Sequence, residues 1–335
     1  MKYNPLVTIC IPAYNAELFI YDTLKRAINQ DYANLEIIVS DDCSTDRTLQ
    51  VLERFNDPRL RIIRQNRNLG NYANCNAVVR AATRDLICKV DADDLLEPNF
   101  VREMVDALLA HPQAVVAYCA MRLIDQFGQH LGYERKISGT ELRIGADEYI
   151  RQVISFQGQG TCILFKRDAF EQVGGYNEKF LHTSGDWVLF REFSKIGGIL
   201  YLDKVLASYR IHSLGKEKRI IHRAQAFLDH LDDVNKNWPN HVHDKEKILR
   251  KARKQWAYQC LYKGGPIAGA NDLDEIISIS NKLHSSFGIK FLSLLLKHNF
   301  SKYFSLVIKM KLMMRQHIKK LFYQSRQIGI DNLFL

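Results

Sequence analysis

Two acidic clusters constrain what this chain can fold into, because each stands where a short apolar run gives way to turn residues. Glu36-Ile37-Ile38-Val39-Ser40 runs into Asp41-Asp42, and Leu86-Ile87-Cys88-Lys89-Val90 runs into Asp91-Ala92-Asp93-Asp94. Short, nearly continuous apolar runs are how buried strands of parallel sheets read. Ligands of open α/β sheets bind outside the carboxyl ends of such strands. Carboxylate clusters at two neighbouring strand ends therefore point to a ligand rich in hydroxyls and phosphate, held with a divalent cation. A lone Asp-x-Asp would not carry this, since about one copy arises by chance in a chain of this length.

The surrounding pattern agrees. Val7-Thr8-Ile9-Cys10-Ile11 reads as a strand ended by Pro12, followed by helical spacing of Leu18, Ile20, Leu24, Ala27 and Ile28. After the second strand, Ser44-Thr45-Asp46 supplies cap residues for a helix through Leu49, Leu52 and Phe55. Arg61-Ile62-Ile63 is a third strand, Asn68-Leu69-Gly70 opens a helix through Ala82, and Leu86 to Val90 is the fourth strand. A helix (Phe100 to Leu109) and a strand (Ala114 to Tyr118) follow. Repeated strand–helix units predict an α/β fold, a mostly parallel sheet with helices on both faces. Beyond Tyr118 the alternation breaks. Leu123 to Leu131, centred on Phe127-Gly128, reads as a hairpin, with helices over Asp147 to Ile154 and Asp186 to Lys195. Short strands are expected at Cys162 to Phe165, Ile199 to Leu202 and Leu206 to Ile211, and from about Gly215 the chain turns helical and charged.

With 47% hydrophobic and 25% charged residues in 335, the chain is of ordinary globular composition. Seven cysteines form no CxxC pair, and several lie in apolar runs. They read as reduced, mostly buried thiols of a cytoplasmic protein rather than a zinc site. No run approaches the roughly 18 apolar residues of a spanning helix, and Met1 to Pro5 leads into an apolar run too short for a signal peptide.

The net charge of +10 lies in one place. Ile276 to Ile330 holds ten Lys and Arg and no Asp or Glu, and the remainder is balanced at 37 of each sign. A nucleic-acid-binding body would carry its own basic face, so nucleic acid is not an expected partner. Within the tail, Tyr303, Val307, Met310, Met314, Ile318 and Leu321 recur at helical spacing, while Lys302, Lys309, Lys311, Arg315, Lys319 and Lys320 fall outside that stripe. Two readings stay open. The helix lies in the headgroup layer of an anionic bilayer, peripheral at the inner face of the plasma membrane, or its stripe packs on the rest of the chain or on a second copy in a homodimer.

The motifs together resemble the inverting family 2 glycosyltransferases of the GT-A fold. The resemblance runs from Val7 to Ala16 through Val39-Ser40-Asp41-Asp42-Cys43-Ser44-Thr45-Asp46, Asn68-Leu69-Gly70 and Val90 to Asp94. It continues to Val173-Gly174-Gly175-Tyr176-Asn177-Glu178, Ser184-Gly185-Asp186-Trp187 and Tyr209-Arg210-Ile211-His212-Ser213. It covers about the first 215 residues, with the motifs in the family's order. It implies a catalytic domain over 1–215, which leaves the charged, helical stretch as a basic C-terminal region over 216–335.

What each motif does is implied by the resemblance and consistent with donor chemistry. Pro12, Tyr14 and Asn15 face the base of a nucleotide-sugar, and Asp42 accepts from the imide of uracil or thymine. Asn68 and Gly70 belong to the same donor-binding set. Asp91 lies near the ribose, while Asp93 binds Mn²⁺ or Mg²⁺ at the diphosphate, a hard cation on oxygen ligands. His212 stands where some members place a third metal ligand or a contact to the diphosphate. Asp186 matches the general base that deprotonates the acceptor hydroxyl, and Trp187 beside it offers an indole to an acceptor sugar. Two positions depart from the family pattern: Gly185 replaces a common Glu, and Cys75 stands where Arg precedes Asn76.

The expected reaction moves a hexose or N-acetylhexosamine from a UDP-sugar to a glycan acceptor, lipid-linked in some relatives, in bacterial surface-polysaccharide synthesis. dTDP-rhamnose is the alternative donor. A phosphatase of the haloacid dehalogenase type, with Asp91 as nucleophile, is the reading from another class. Its Asp-x-Asp, however, lies on the first strand and runs into Gly-Thr.

Overall fold

The computed structural model describes residues 4–134, 139–154, 158–180, 185–212, 220–259, 270–283 and 293. The first strands and helices alternate: β1 (Val7–Ala13), α1 (Ile20–Ile28), β2 (Leu35–Asp41), α2 (Thr48–Leu52), β3 (Leu60–Arg64), α3 (Asn71–Ala81) and β4 (Leu86–Lys89). Then come β5 (Leu95–Leu96), α4 (Phe100–Ala110), β6 (Ala114–Ile124), β7 (His130–Glu134), β8 (Glu141–Arg143) and α5 (Gly145–Ile154). The last site-bearing elements are β9 (Ile163–Lys166), α6 (Arg167–Gln172), α7 (Gly185–Ile196) and β10 (Gly198–Arg210). Helices α8 (Ile220–Lys236), α9 (Lys245–Gln259) and α10 (Ala270–Leu283) follow.

Among the described residues these strands form one sheet in the order β3-β2-β1-β4-β9-β6-β10-β5, with β7 beside β6 and β8 beside β10. β3, β2, β1 and β4 are mutually parallel. β9 enters antiparallel between β4 and β6, and β10 runs parallel to β6. The sheet is thus parallel where the acidic clusters end their strands and mixed beyond it.

Side-chain alternation sorts the core into two layers. Val7, Ile9 and Ile11 of β1 pack with Leu24 of α1 and Met104 of α4, while Cys10 faces the layer of Val78 in α3 and Phe190 in α7. On α1 the buried residues Ile20, Thr23, Leu24 and Ala27 follow the 3.6 period, so one face meets the sheet. Each fully buried Val, Leu, Ile or Phe contributes about 1.5–3 kcal/mol from burial alone.

Three boundaries differ from the sequence reading. β1 does not stop at Pro12. It pairs with β2 through Pro12↔Ser40 and Ala13↔Asp41, whereas the β4 ladder ends at Cys10↔Lys89, so the missing proline N–H interrupts nothing on that side. The strands expected at Ala114 to Tyr118 and in the hairpin's first arm are one long β6, which pairs with β7 across a turn at Asp125 to Gln129. The two strands expected at Ile199 and Leu206 are a single β10. Register shifts between Leu202 and Ala207 bulge Asp203 and Lys204 out of the ladder, which breaks the apolar run in sequence.

The chain divides into two compact units, Met1–Ala252 and Arg253–Leu335. The site and helix α8 belong to the first. Five of the six described cysteines are buried, Cys43 is half-buried, and all six are free thiols. No helix among the described residues is long and apolar enough to cross a membrane. The amphipathic stripe from Tyr303 to Leu321 lies outside the described residues.

Candidate active site

The carboxyl ends of β1, β2, β4 and β10 open on the same side of the sheet as the start of β9, since Lys89 pairs with Ile163. Helix α7 also begins there, because Asp186 lies against Gly160. A Cβ on Gly160 would stand 2.8 Å from Asp186 Oδ2, so the carboxylate rests on bare backbone. Acidic groups in a first helical turn are favoured by the helix dipole.

At the end of β4, Asp93 Oδ2 lies 2.9 Å from His212 Nε2. Strand pairing causes the meeting. Ser208 and Ala207 of β10 pair with Leu95 and Leu96 just after the acidic cluster, which brings the end of β10 over Asp93. Arg210 then fastens the two segments. Its N–H donates to Asp94 Oδ1 at 2.9 Å, its Nε to the Asp93 carbonyl at 2.9 Å, and its guanidinium lies over the Phe19 ring. Phe19 also packs on the His212 ring, 4.6 Å between centroids, and His212 Nδ1 is buried without a hydrogen-bond partner. Asp94 is wholly buried. Burial first, then the neighbouring Asp93 and Asp91 carboxylates, push its carboxyl well above the usual range. Asp94 Oδ1 serves as the acceptor that holds the end of β10 to this turn.

Whether the pair suits a cation is a matter of spacing. Adjacent donor atoms of an octahedral ion with bonds of about 2.0–2.1 Å stand about 2.9 Å apart. Asp93 Oδ2 and His212 Nε2 match one such edge. Among the described residues no third His, Cys, Asp or Glu completes a cluster.

Asp91 is held differently. Its N–H donates to Thr161 Oγ1 at 2.9 Å, and its Oδ1 lies 2.6 Å from Lys89 Nζ. Lys89 also donates to the Gly160 carbonyl. Burial opposes the Lys89 ammonium, yet the Asp91 carboxylate, with Asp186 a smaller contributor, keeps its pKa well above the ordinary value. This residue was missed in the sequence, although a charge between the apolar Cys88 and Val90 was a usable signal.

The loops after β1 and β2 and the turn before α3 are tied together by side chains. Asp42 is 1% exposed, and its two oxygens accept from the N–H groups of Leu69 (2.7 Å) and Gly70 (3.0 Å). It therefore fixes the turn that opens α3. Asp41 is a local acceptor for Ser44 N–H. Asn15, in the left-handed region at φ 49°, accepts from Thr45 N–H at 2.8 Å and donates its own N–H to Ser44 Oγ. Tyr14 beside it is 49% exposed, Asn68 is exposed and Pro12 is buried.

On the other face, Asn76 clamps the Gly175-Tyr176 turn. Its Oδ1 accepts from Tyr176 N–H, and its Nδ2 donates to the Tyr176 carbonyl and to Glu178. Tyr176 stacks on Tyr72 at 5.4 Å, and Tyr72 Oη accepts from Gly185 N–H at 3.0 Å, one residue before Asp186. Cys75 is fully buried in the core beside them.

Trp187 corrects an expectation. It is 3% exposed, stacked 3.7 Å from the His230 ring, and its indole N–H donates to the Gln152 carbonyl. A buried indole has no face to offer a sugar. Helix α8 covers it, anchored further by Arg191 to Asp233.

Residues 8–174 match the family model described as Glycosyl transferase family 2. The chain is 28% identical over 265 residues to the chondroitin synthase of Escherichia coli, a match taking in 78% of this chain and 35% of that one. It therefore spans about a third of that relative's length. Staphylococcus aureus TarS 1-349, solved in complex with UDP-GlcNAc, superposes with a TM-score of 0.63 at 15% identity, over 93% of this chain and 92% of that one. The mannosyltransferase PcManGT from Pyrobaculum calidifontis, in complex with GDP-Man and Mn²⁺, gives 0.56 at 18% identity, over 90% and 86%. These structural likenesses are of fold. The chain belongs to glycosyltransferase family 2 and is a glycosyltransferase, which sets aside the phosphatase reading of Asp91.

Proposed function

We propose that the protein is a divalent-metal-dependent, inverting enzyme that moves a hexose or N-acetylhexosamine from a UDP-sugar to a glycan acceptor in bacterial surface-polysaccharide synthesis. The observation that carries this is the Asp93–His212 pair, opening on the same side of the sheet as Asp186. The UDP-GlcNAc complex of TarS and the likeness to a chondroitin synthase support the donor and acceptor classes.

In this reading Pro12, Tyr14 and Asn15 receive the base. Each Asp42 oxygen, already holding a backbone N–H, keeps a second lone pair for the base imide. Asn68 and Gly70 shape the adjoining loop, and Asp91 faces the ribose. Asp93 and His212 would hold Mn²⁺ or Mg²⁺, which when bound offsets charge on the departing diphosphate. Asp186 takes the proton of the acceptor hydroxyl as its oxygen attacks the anomeric carbon opposite the leaving group. Trp187, from its buried position, orients the first turn of α7 rather than touching the acceptor. The catalytic part spans 1–215, and the basic region 216–335 serves attachment to an anionic inner-membrane surface carrying a lipid-linked acceptor.

A thermal-shift panel of nucleotide-sugars with and without Mn²⁺ tests the reading, because a bound ligand raises apparent stability. A Mn²⁺-dependent rise with UDP-sugars is expected. A rise with dTDP- or GDP-sugars alone would refute the donor assignment, and metal-independent shifts would refute the cation.

A further inference from the structure

Strand β4 carries one charged residue within its apolar run. Lys89 is 2% exposed, and a buried ammonium costs stability unless its partners compensate. Its partners lie on two sides of the site. Nζ is 2.6 Å from Asp91 Oδ1, on the side of Asp93, and donates also to the Gly160 carbonyl. Gly160 is the residue on which Asp186 rests, with no room for a Cβ between them. A compact ammonium with several donors can serve both directions from one point, which the planar fork of Arg could not do without moving one partner.

We propose that Lys89 is a positioning residue that locks the donor and base halves of the site to one cation, holding Asp91 with one N–H and the Gly160 wall behind Asp186 with another. The proposal rests on Asp91 serving the donor and Asp186 the proton transfer. Its consequence is that the separation of the two halves is set from beneath, before any ligand arrives.

The test uses the full chain with Lys89→Met, Asp91→Asn, the double variant and Gly160→Ala, each checked for cooperative unfolding. In Lys89→Met the donor KM should rise and kcat should fall by about 10²-fold, the loss expected when a reacting group is misplaced by about an ångström. In the Asp91→Asn background the same substitution should leave KM where it stands and still lower kcat, because only the Gly160 arm remains. Gly160→Ala keeps the cation but crowds Asp186, so kcat should fall with KM unchanged, and this arm stands even if Lys89→Met fails to fold. Wild-type kinetics in Lys89→Met, additive KM effects in the double variant, or an unaltered kcat in Gly160→Ala would each overturn the proposal. A wild-type chain that uses no nucleotide-sugar at all would defeat the functional reading instead. Thermal unfolding then decides the Lys89 role without ligand: Lys89→Met should lower the melting temperature less in the Asp91→Asn background, and equal losses would overturn it.

Discussion

Tyr72 fills the space that a side chain at position 185 would need. Its hydroxyl accepts the Gly185 N–H, and a Cβ on Gly185 would fall inside the ring's van der Waals envelope. The absence of a side chain at position 185 is therefore matched by a tyrosine from α3, packed one residue before Asp186.

Gly185→Ala should be destabilising by about 1–3 kcal/mol, the usual range for overpacking. The Tyr72 ring is stacked on Tyr176 and cannot step aside freely. Thermal unfolding reads this directly, and an unchanged melting curve would show that the ring yields.

Replacing Asp93 by Ala should abolish Mn²⁺-dependent donor binding while leaving the unfolding transition in place. The side chain is about a third exposed and carries little packing. Calorimetric titration of UDP with and without Mn²⁺ checks it. Full metal-dependent affinity in the variant would remove Asp93 from the cation's shell.

Asp186→Asn keeps size and hydrogen bonding but not basicity. Donor affinity should survive while transfer falls by about 10²–10⁴, the span typical of general-base removal. Equal losses in binding and turnover would make Asp186 a helix-start residue only.

His230 gives a pH-dependent expectation. Burial first, and the Arg191 charge second, push its imidazole well below 6.5. The unfolded chain gains a proton as pH falls through that value and the folded one does not, so stability present above pH 6.5 is lost below it. His230→Phe retains a ring on Trp187 without that proton. Its melting temperature should therefore gain on the wild type between about pH 7.5 and 5.5, and parallel curves would refute the buried neutral imidazole.

Truncation near Gly265 should release the protein from anionic vesicles and leave donor hydrolysis largely intact, because the motifs assigned chemical roles in the proposed function precede Ser213. Vesicle binding by the full chain should weaken steeply with salt, since about 1 kcal/mol per basic residue near the surface is screened beyond a Debye length. Loss of a dimer on truncation, or equal binding to neutral vesicles, would show a packing surface instead.

Much of this was legible in the sequence, for identifiable reasons. Buried parallel strands announce themselves as apolar runs, so β2 and β4 and the acidic residues at their ends could be placed within a residue or two. His212 could be paired with Asp93 only through the resemblance, since their meeting depends on β10 lying beside Leu95 and Leu96. Contacts of long sequence separation stayed hidden. Nothing local to Trp187 shows that His230, forty-three residues on, will cover it, and nothing near Asp42 shows that its oxygens hold the N–H groups of Leu69 and Gly70.

The reversed entry of β9 has a further consequence. Because this strand starts beside Lys89 and runs away from it, the chain leaves the strand ends at Lys166 and must come back before Asp186 can rest on Gly160. The described part of that return is tied to α3 twice, at Tyr176 by Asn76 and at Gly185 by Tyr72. A displacement of α3 against the sheet would therefore carry the start of α7, and Asp186 with it.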